Sequence, residues 1–322
     1  MFPNMRGRRV VVTGCAGFIG SHLTDSLLGS GAIVVGIDNL STGRMLFLEN
    51  AICNPNFTFH KFDLTTLEGL SNILEGSDSV FHLAANADVR FGDDHPRRDL
   101  EQNTIVTHNV LEAMRKSDVN RIIFSSTGSI YGESTISPTP ENSPFPMQTS
   151  LYGASKLACE GLIQAYCETF DMQSWIFRFV SILGPRYSHG HVFDFYQQLT
   201  EHPQHLSVLG NGYQRKSYLH VYDCIEAIDL AIRYSDAKVN IFNLGTENTC
   251  EVRDSVSWIC KKMRLQPIVD FGTDTKGWVG DNPLIHLDTT AIKSLGWEPK
   301  FSIKEGVEST IDFFAKNEWL FA

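Results

Sequence analysis

Residues 9–20 read Arg9-Val10-Val11-Val12-Thr13-Gly14-Cys15-Ala16-Gly17-Phe18-Ile19-Gly20, and this stretch decides the fold. Arg9–Thr13 is a short β-branched run, as a buried strand requires. Three glycines follow at three-residue spacing, and a helical pattern runs on from Gly20 to Gly29. Glycine here allows a tight turn, lets the backbone approach a diphosphate and lets helix pack close to strand. The free N–H groups and the dipole at the helix start then hold the anion. The spacing is GxxGxxG, not the usual GxGxxG of dinucleotide-binding turns, so the strand–turn–helix setting carries the reading with the glycines.

Asp38 extends it. This residue closes the next β-branched run, Ile33–Ile37. A carboxylate there accepts hydrogen bonds from an adenosine ribose diol and repels a 2′-phosphate, which favours NAD over NADP. The pair Asp38-Asn39 also suits a turn cap, so both uses stand open. Arg44 lies too far along to reverse the preference.

Outward from this turn, short strands alternate with helices. Strands are predicted over Phe57–Phe62, Ser79–Leu83, Arg121–Ser126 and Ser174–Phe179, and helices over Thr104–Met114 and Tyr152–Phe170. Such alternation builds βαβ units and a parallel sheet. The fold class is α/β: a Rossmann-type doubly wound parallel sheet with a smaller C-terminal α/β substrate domain. Residues 1–180 make the cofactor domain and 181–322 the smaller one, with the segment near 215–250, Val239–Leu244 above all, returning to the main sheet. Past Gly184-Pro185 the rhythm weakens and loops lengthen, until a helical tail at Lys304–Asn317. Pro138, Pro140, Pro144 and Pro146 crowd a surface loop and not a domain linker, because the βαβ rhythm resumes directly after them.

Composition bounds the function. The 322 residues carry a formal charge of −10, with 42% hydrophobic and 20% charged, as in a soluble chain with a large core. The acidic balance argues against a nucleic-acid partner. No apolar run reaches the ~18 residues of a membrane span, and the basic start, Met1 to Arg9, meets glycines where a signal peptide has its apolar core. Seven cysteines lack CxxC or metal-ligand spacing and read as reduced thiols of a cytoplasmic protein. His189 and His191 lack a third ligand at suitable spacing, so no metal is expected.

Tyr152 and Lys156, four residues apart, share one helix face. A nearby ammonium stabilises phenolate and pulls a tyrosine pKa down from about 10; a cationic nicotinamide adds to that pull. Such a tyrosine removes a proton from a sugar hydroxyl as hydride leaves the same carbon. Ser125-Ser126-Thr127 ends the preceding strand, at the carboxyl edge where open α/β sheets bind ligands. Thr127 there either hydrogen-bonds a substrate hydroxyl or caps a turn.

In order, the marks are Thr13–Gly20, Asp38-Asn39-Leu40, Asp63-Leu64, His82-Leu83-Ala84-Ala85, Ser125-Ser126-Thr127 before Tyr131-Gly132, Tyr152-Gly153-Ala154-Ser155-Lys156 and Gly184-Pro185-Arg186. With them the chain resembles the extended short-chain dehydrogenase/reductase superfamily, and within it NAD-dependent nucleotide-sugar epimerases of the UDP-glucose 4-epimerase type. The resemblance runs nearly end to end. It implies that Gly14, Gly17, Phe18, Ile19 and Gly20 line the NAD diphosphate. Asp38 and Asn39, with Ser41, Thr42 and Gly43, would surround the adenosine ribose. Asp63 and Leu64 would flank the adenine, while Leu83, Ala84, Ala85, Asn103 and Ser125 lie along the cofactor. Tyr152 and Lys156 match cofactor contacts and, with Thr127, the catalytic set. A homodimer is implied as well, through the helices Thr104–Met114 and Leu157–Phe170.

Departures narrow the branch. The 4,6-dehydratases carry Asp-Glu after the catalytic threonine and the decarboxylases keep an acid at the second place, where this chain has Gly128-Ser129. Ser181 stands for an expected Asn, Gln214-Arg215-Lys216 shifts an expected arginine by one place, and Lys276 to Asp281 replaces an arginine-bearing segment. The expected substrate contacts are Thr127, Ser181, His189, Val192, Arg215, Lys216, Lys276 and Asp281. The cations among them either pair with phosphate or form a solvated surface. The resemblance implies epimerisation at C4 of a UDP-hexose or derivative, through a transient 4-keto sugar with hydride returned to the opposite face. Alternatives are a UDP-glucuronate decarboxylase, a dehydrogenase or reductase, a C2 or C5 epimerase, and a non-catalytic NAD-sensing protein.

Overall fold

The computed structural model describes residues 1–86, 95–144, 147–278, 281–282 and 284–321. Pro146 and residues 279–280 of the Lys276–Asp281 segment lie outside them. Six strands follow the sequence expectation to within a residue or two: β1 (Arg9–Thr13), β2 (Ile33–Asp38), β3 (Phe57–Lys61), β4 (Ser79–His82), β5 (Arg121–Thr127) and β6 (Gln173–Phe179). They stand in the order 3-2-1-4-5-6, each pair parallel. The order reverses between β1 and β4, and that is where a crevice opens at the carboxyl ends of an α/β sheet.

Successive residues of β1 divide between the two faces of the sheet. Val10 and Val12 join one core with Leu23 and Leu27 of α1 (Phe18–Gly29). Val11 joins the other, with Val110 and Met114 of α2 (Val106–Lys116) and Ile163 and Cys167 of α3 (Leu151–Phe170). A fully parallel sheet needs this cover on both faces. The helix expected to start at Thr104 begins instead as a π-helical turn, Leu100–Ile105, before α2.

The second half corrects the expectation of long loops. It holds α4 (His191–Glu201), α5 (Val221–Tyr234), α6 (Val252–Met263) and α7 (Ile303–Lys316). Its strands β7 (Ser181–Leu183), β8 (His205–Val208), β9 (Arg215–Lys216) and β10 (Tyr218–His220) are only two to four residues long. That is too short to display a period. β11 (Val239–Leu244) then pairs in parallel with β6 as the seventh strand of the main sheet. β12 (Cys250–Glu251) and β14 (Leu284–Ile285) flank β9, and β13 (Ile268–Phe271) pairs with β8. Thr139, in the proline-crowded loop, is buried and bridges to Leu287, docking that loop on the smaller lobe.

Candidate active site

The glycine turn is packed as tightly as its spacing suggests. Gly14 has φ +70°, and a Cβ there would lie 2.8 Å from Ala84 N, so the turn passes against Leu83 and Ala84 just beyond β4. A Cβ on Gly20 would lie 2.0 Å from Gly14 O. Gly17 is the N-cap of α1, with no capping side chain and no acid in the first turn. The first N–H groups of the helix therefore face outward for an anion. Phe18 is buried edge-on against Tyr187, and Ile19 is half-buried beside it.

Asp38 accepts from Ala16 N at 3.0 Å and Leu40 N at 2.8 Å, while burial raises its pKa. It thus acts as the turn cap, and a carboxylate with about four acceptor positions keeps others for a diol. Gly43 presses on it, since a Cβ there would lie 2.8 Å from Asp38 Oδ1; Ser41 and Thr42 beside it are exposed. Asn39 Nδ2 donates to Asp63 Oδ2 at 3.3 Å, and hydrogen bonds from Thr65 hold the Asp63 carboxyl below its ordinary value. Leu64 is buried, its carbonyl bound by Asn109 Nδ2 at 2.9 Å. Uncapped helix, close glycines and buried carboxylate fit a dinucleotide.

Thr127, Tyr152 and Lys156 meet at the carboxyl end of β5. Ser150 Oγ caps α3 by accepting from Gly153 N at 3.0 Å, and a Cβ on Gly153 would lie 2.9 Å from Ser129 O. This close approach sets Tyr152 beside Thr127, whose hydroxyl opposes the rise of the phenol pKa. Thr127 Oγ1 also accepts from Ser129 N at 3.1 Å, so it caps the next turn as well. Lys156 Nζ donates to Ser125 O at 2.9 Å and lies 4.7 Å from the centre of the Phe124 ring.

The expected pull on the phenol needs correction. Burial pushes the Tyr152 pKa up, with the Thr127 hydrogen bond opposing and Asp99 adding to the rise. Burial likewise lowers Lys156 to about 8, against Cys159, Glu160 and Asp99. The ammonium is bonded to Ser125 O and is not among the groups that offset burial of the phenol.

Asn103 is held by its protein neighbours. It is buried in the π-helical turn, accepting from Asn86 N and donating to Ser155 Oγ, both at 2.8 Å. Ser155 Oγ donates to Tyr152 O at 2.8 Å. Asn103 therefore braces the start of α3. Sequence reading passed over Asn86 and Asp99, which share this network through a 2.8 Å bond, because nothing local marks them.

On the substrate side, Ser181 is exposed at the start of β7, and His189 stacks on Tyr187 with ring centres 6.0 Å apart. Val192 is fully buried in α4, so its side chain belongs to the core and not to a ligand face. The cations are not free. Lys216 Nζ pairs with Asp281 Oδ1 at 2.5 Å in a buried bridge, 4.4 Å from the centre of the Trp278 ring. Lys276 pairs with Glu133, while Arg215 donates to Thr249 Oγ1 at 3.0 Å. His191 hydrogen-bonds Ser255 Oγ at 2.9 Å, and among the described residues no group of side chains could hold a metal.

The model of the NAD dependent epimerase/dehydratase family matches residues 10–245. A UDP-glucose 4-epimerase of Mycolicibacterium smegmatis is 31% identical over 312 residues, which is 95% of this chain and 98% of that protein. A crystal structure of a UDP-galactose 4-epimerase superposes with a TM-score of 0.86 at 36% identity, covering 97% of this chain and all of that one. The Thermus thermophilus UDP-glucose 4-epimerase in complex with NAD gives 0.84 at 31% identity, covering 95% of this chain and 99% of that one.

Proposed function

The chain belongs to the NAD dependent epimerase/dehydratase family, and from that premise we propose that it is an NAD-dependent nucleotide-sugar epimerase acting at C4 of a UDP-hexose or derivative. One observation carries the reading. Thr127, Tyr152 and Lys156 converge beside a dinucleotide cradle, and the residues after Thr127 are Gly128 and Ser129, so no carboxylate stands there for elimination.

Gly14, Gly17, Gly20 and the start of α1 would hold the cofactor diphosphate, Asp38 the adenosine ribose, and Lys156 the second ribose. When bound, NAD supplies the acceptor that takes hydride from the sugar carbon and gives it back to the other face, and its cationic ring favours phenolate. Tyr152 takes the C4 hydroxyl proton and later returns it. Thr127 bridges that hydroxyl and the phenol.

Homodimer, compartment and domain division are finer parts of the same proposal. Leu100, Ile105, Leu151 and Phe170 keep large apolar side chains exposed along the turn before α2 and on α3, which suits pairing with a second copy. Seven unpaired cysteines suit a reducing cytoplasm; among the described residues no helix is long and apolar enough to cross a membrane. The domain division falls between residues 180 and 181, with β11 returning to the first part.

The test is incubation of pure protein with UDP-, GDP-, CDP- and dTDP-sugars, read by proton NMR without added NAD. A C4 epimer from a UDP-hexose is expected. No product from any UDP-hexose overturns the assignment, and absorbance rising at 340 nm favours a dehydrogenase. Tyr152→Phe should lower kcat by about 10²–10⁴; an unchanged rate would remove the tyrosine from the chemistry.

A further inference from the structure

Glu160 lies one turn beyond Lys156 and two beyond Tyr152 on α3, so the three share the face that meets the sheet. It is fully buried and its carboxylate is saturated. Oε1 accepts from Ser126 Oγ at 2.5 Å and Arg178 Nε at 3.1 Å, and Oε2 accepts from Arg178 Nη2 at 2.8 Å. Arg178, on β6, is itself fixed. It donates to the Tyr131 hydroxyl at 2.6 Å and to Glu141 O at 2.8 Å, and Tyr131 donates to Asn243 Oδ1 at 2.8 Å.

Two side chains one turn apart therefore tie α3 to consecutive residues of β5. Lys156 binds the Ser125 carbonyl and Glu160 binds the Ser126 hydroxyl. The next residue of β5 is Thr127. One tie would let the helix pivot; two fix both its rotation and its position along the strand. A buried ion pair is weak evidence for stability, because packed apolar side chains serve as well. What the Arg178 fork adds is direction.

We propose that Glu160, clamped by Arg178 and Ser126, is a positioning residue that sets the register of α3 on β5 and so holds Tyr152 against Thr127. The inference rests on the tyrosine mechanism above, and Glu160 touches no substrate in it. Lys156 is faced by Cys159 and Glu160 on its own helix, by Asp99 before the π-helical turn and by His82 on β4. Removing the Glu160 charge leaves Arg178 uncompensated nearby, which disfavours the Lys156 ammonium.

Ser126→Ala, Ser126→Thr and Glu160→Gln are compared with the wild-type holoenzyme. Ser235→Ala, which removes a hydroxyl bonded to Trp175 far from the centre, is the stability control. Ser126→Ala should lose about tenfold in kcat with KM for UDP-galactose and bound NAD unchanged, and Ser126→Thr should recover most of it. Glu160→Gln should lose about a hundredfold and move the alkaline limb of kcat down by about one pH unit. Crystal structures of Ser126→Ala and Glu160→Gln should show Lys156 Nζ withdrawn from Ser125 O. An active wild type whose Ser126→Ala behaves like Ser235→Ala, with a lower Tm but the same kcat and pH profile, overturns the proposal. A wild type inactive on every nucleotide sugar overturns the functional reading instead. In that case the register is judged on the variant structures alone, and a Lys156–Ser125 bond kept at 2.9 Å sinks it.

Discussion

Two regions of the molecule are expected to meet a diphosphate, and they are built in opposite ways. Around Gly14–Gly20 the start of α1 has no capping side chain and no acid in its first turn. Close glycines and the uncapped start of α1 present peptide N–H groups. At Arg215, Lys216 and Lys276 the expected partners are side-chain cations, and two of the three are already closed on Asp281 and Glu133. A chain of net charge −10 can bind an anion through backbone dipoles with no local excess of cations. Where it relies on cations, its own carboxylates compete for them.

The largest effect is expected at the backbone-built region. Gly20→Ala places a Cβ 2.0 Å from Gly14 O, so α1 must shift off the turn that positions its N–H groups. Affinity for NAD should fall by at least about 10²-fold and Tm by several degrees, read by cofactor released on heating and by calorimetry. Stoichiometric NAD in this variant would break the comparison, because the site would then not depend on backbone approach.

Next in size is acid sensitivity, which asks whether the two regions unfold as one. Burial lowers His22 and His220 to about 4, and His82 and His191 to about 3. Each is neutral in the fold and protonates near 6.5 once unfolded, so between these values the unfolded chain binds more protons. Their contribution is complete above pH 6.5 and is lost as pH falls towards 4 and 3. His22 and His82 lie before residue 180 and His191 and His220 after it, while a His22 bond to Pro185 O at 2.9 Å joins the two stretches. Urea midpoints should fall steadily from pH 6.5 to 4.5 with tryptophan fluorescence and far-UV CD superimposed. Separate transitions would show that the lobes fold independently.

The same contrast explains what was legible in the sequence. The turn at Gly14–Gly20 and strands β1 to β6 could be read because their demands are local: glycine where backbones touch, β-branched residues where a strand is buried on both faces. The Tyr152/Lys156 spacing was equally local. The direction of the Tyr152 pKa was not, because burial depends on packing that no four-residue motif contains. Lys216 finds its acid 65 residues away and Lys276 finds Glu133 143 residues away, distances at which charge spacing says nothing about pairing. Val192 follows the same logic: beside histidines it looks like part of a loop, and α4 turns its side chain into the core.

The buried pair can be resolved by opposing substitutions. Asp281→Asn and Lys216→Gln each leave one charge unpaired, and both should cost about 3–5 kcal/mol of stability. Their effects on ligand should have opposite signs. Asp281→Asn frees Lys216 and should tighten UDP binding by about tenfold at low salt, whereas Lys216→Gln should weaken it by a similar factor. Isothermal titration at two ionic strengths measures both. Equal effects would mean that Lys216 serves Asp281 alone and that the second region has no cation of its own for phosphate.

Lys276→Gln should have the smallest effect. Its bridge to Glu133 is open to water, with side chains 43% and 52% exposed, and such pairs contribute about 0–1 kcal/mol. Tm should move by no more than about 2 °C and KM for UDP-galactose by less than about threefold, with most of that change gone at high salt. Glu133→Gln releases the same ammonium without adding charge elsewhere, so it should lower KM slightly where Lys276→Gln raises it. A tenfold rise in KM for Lys276→Gln would reverse the ranking of the two lysines. The diphosphate contact would then sit on the solvent rim, where salt governs it, and the Lys216–Asp281 pair behind it would be a packing feature of the lobe.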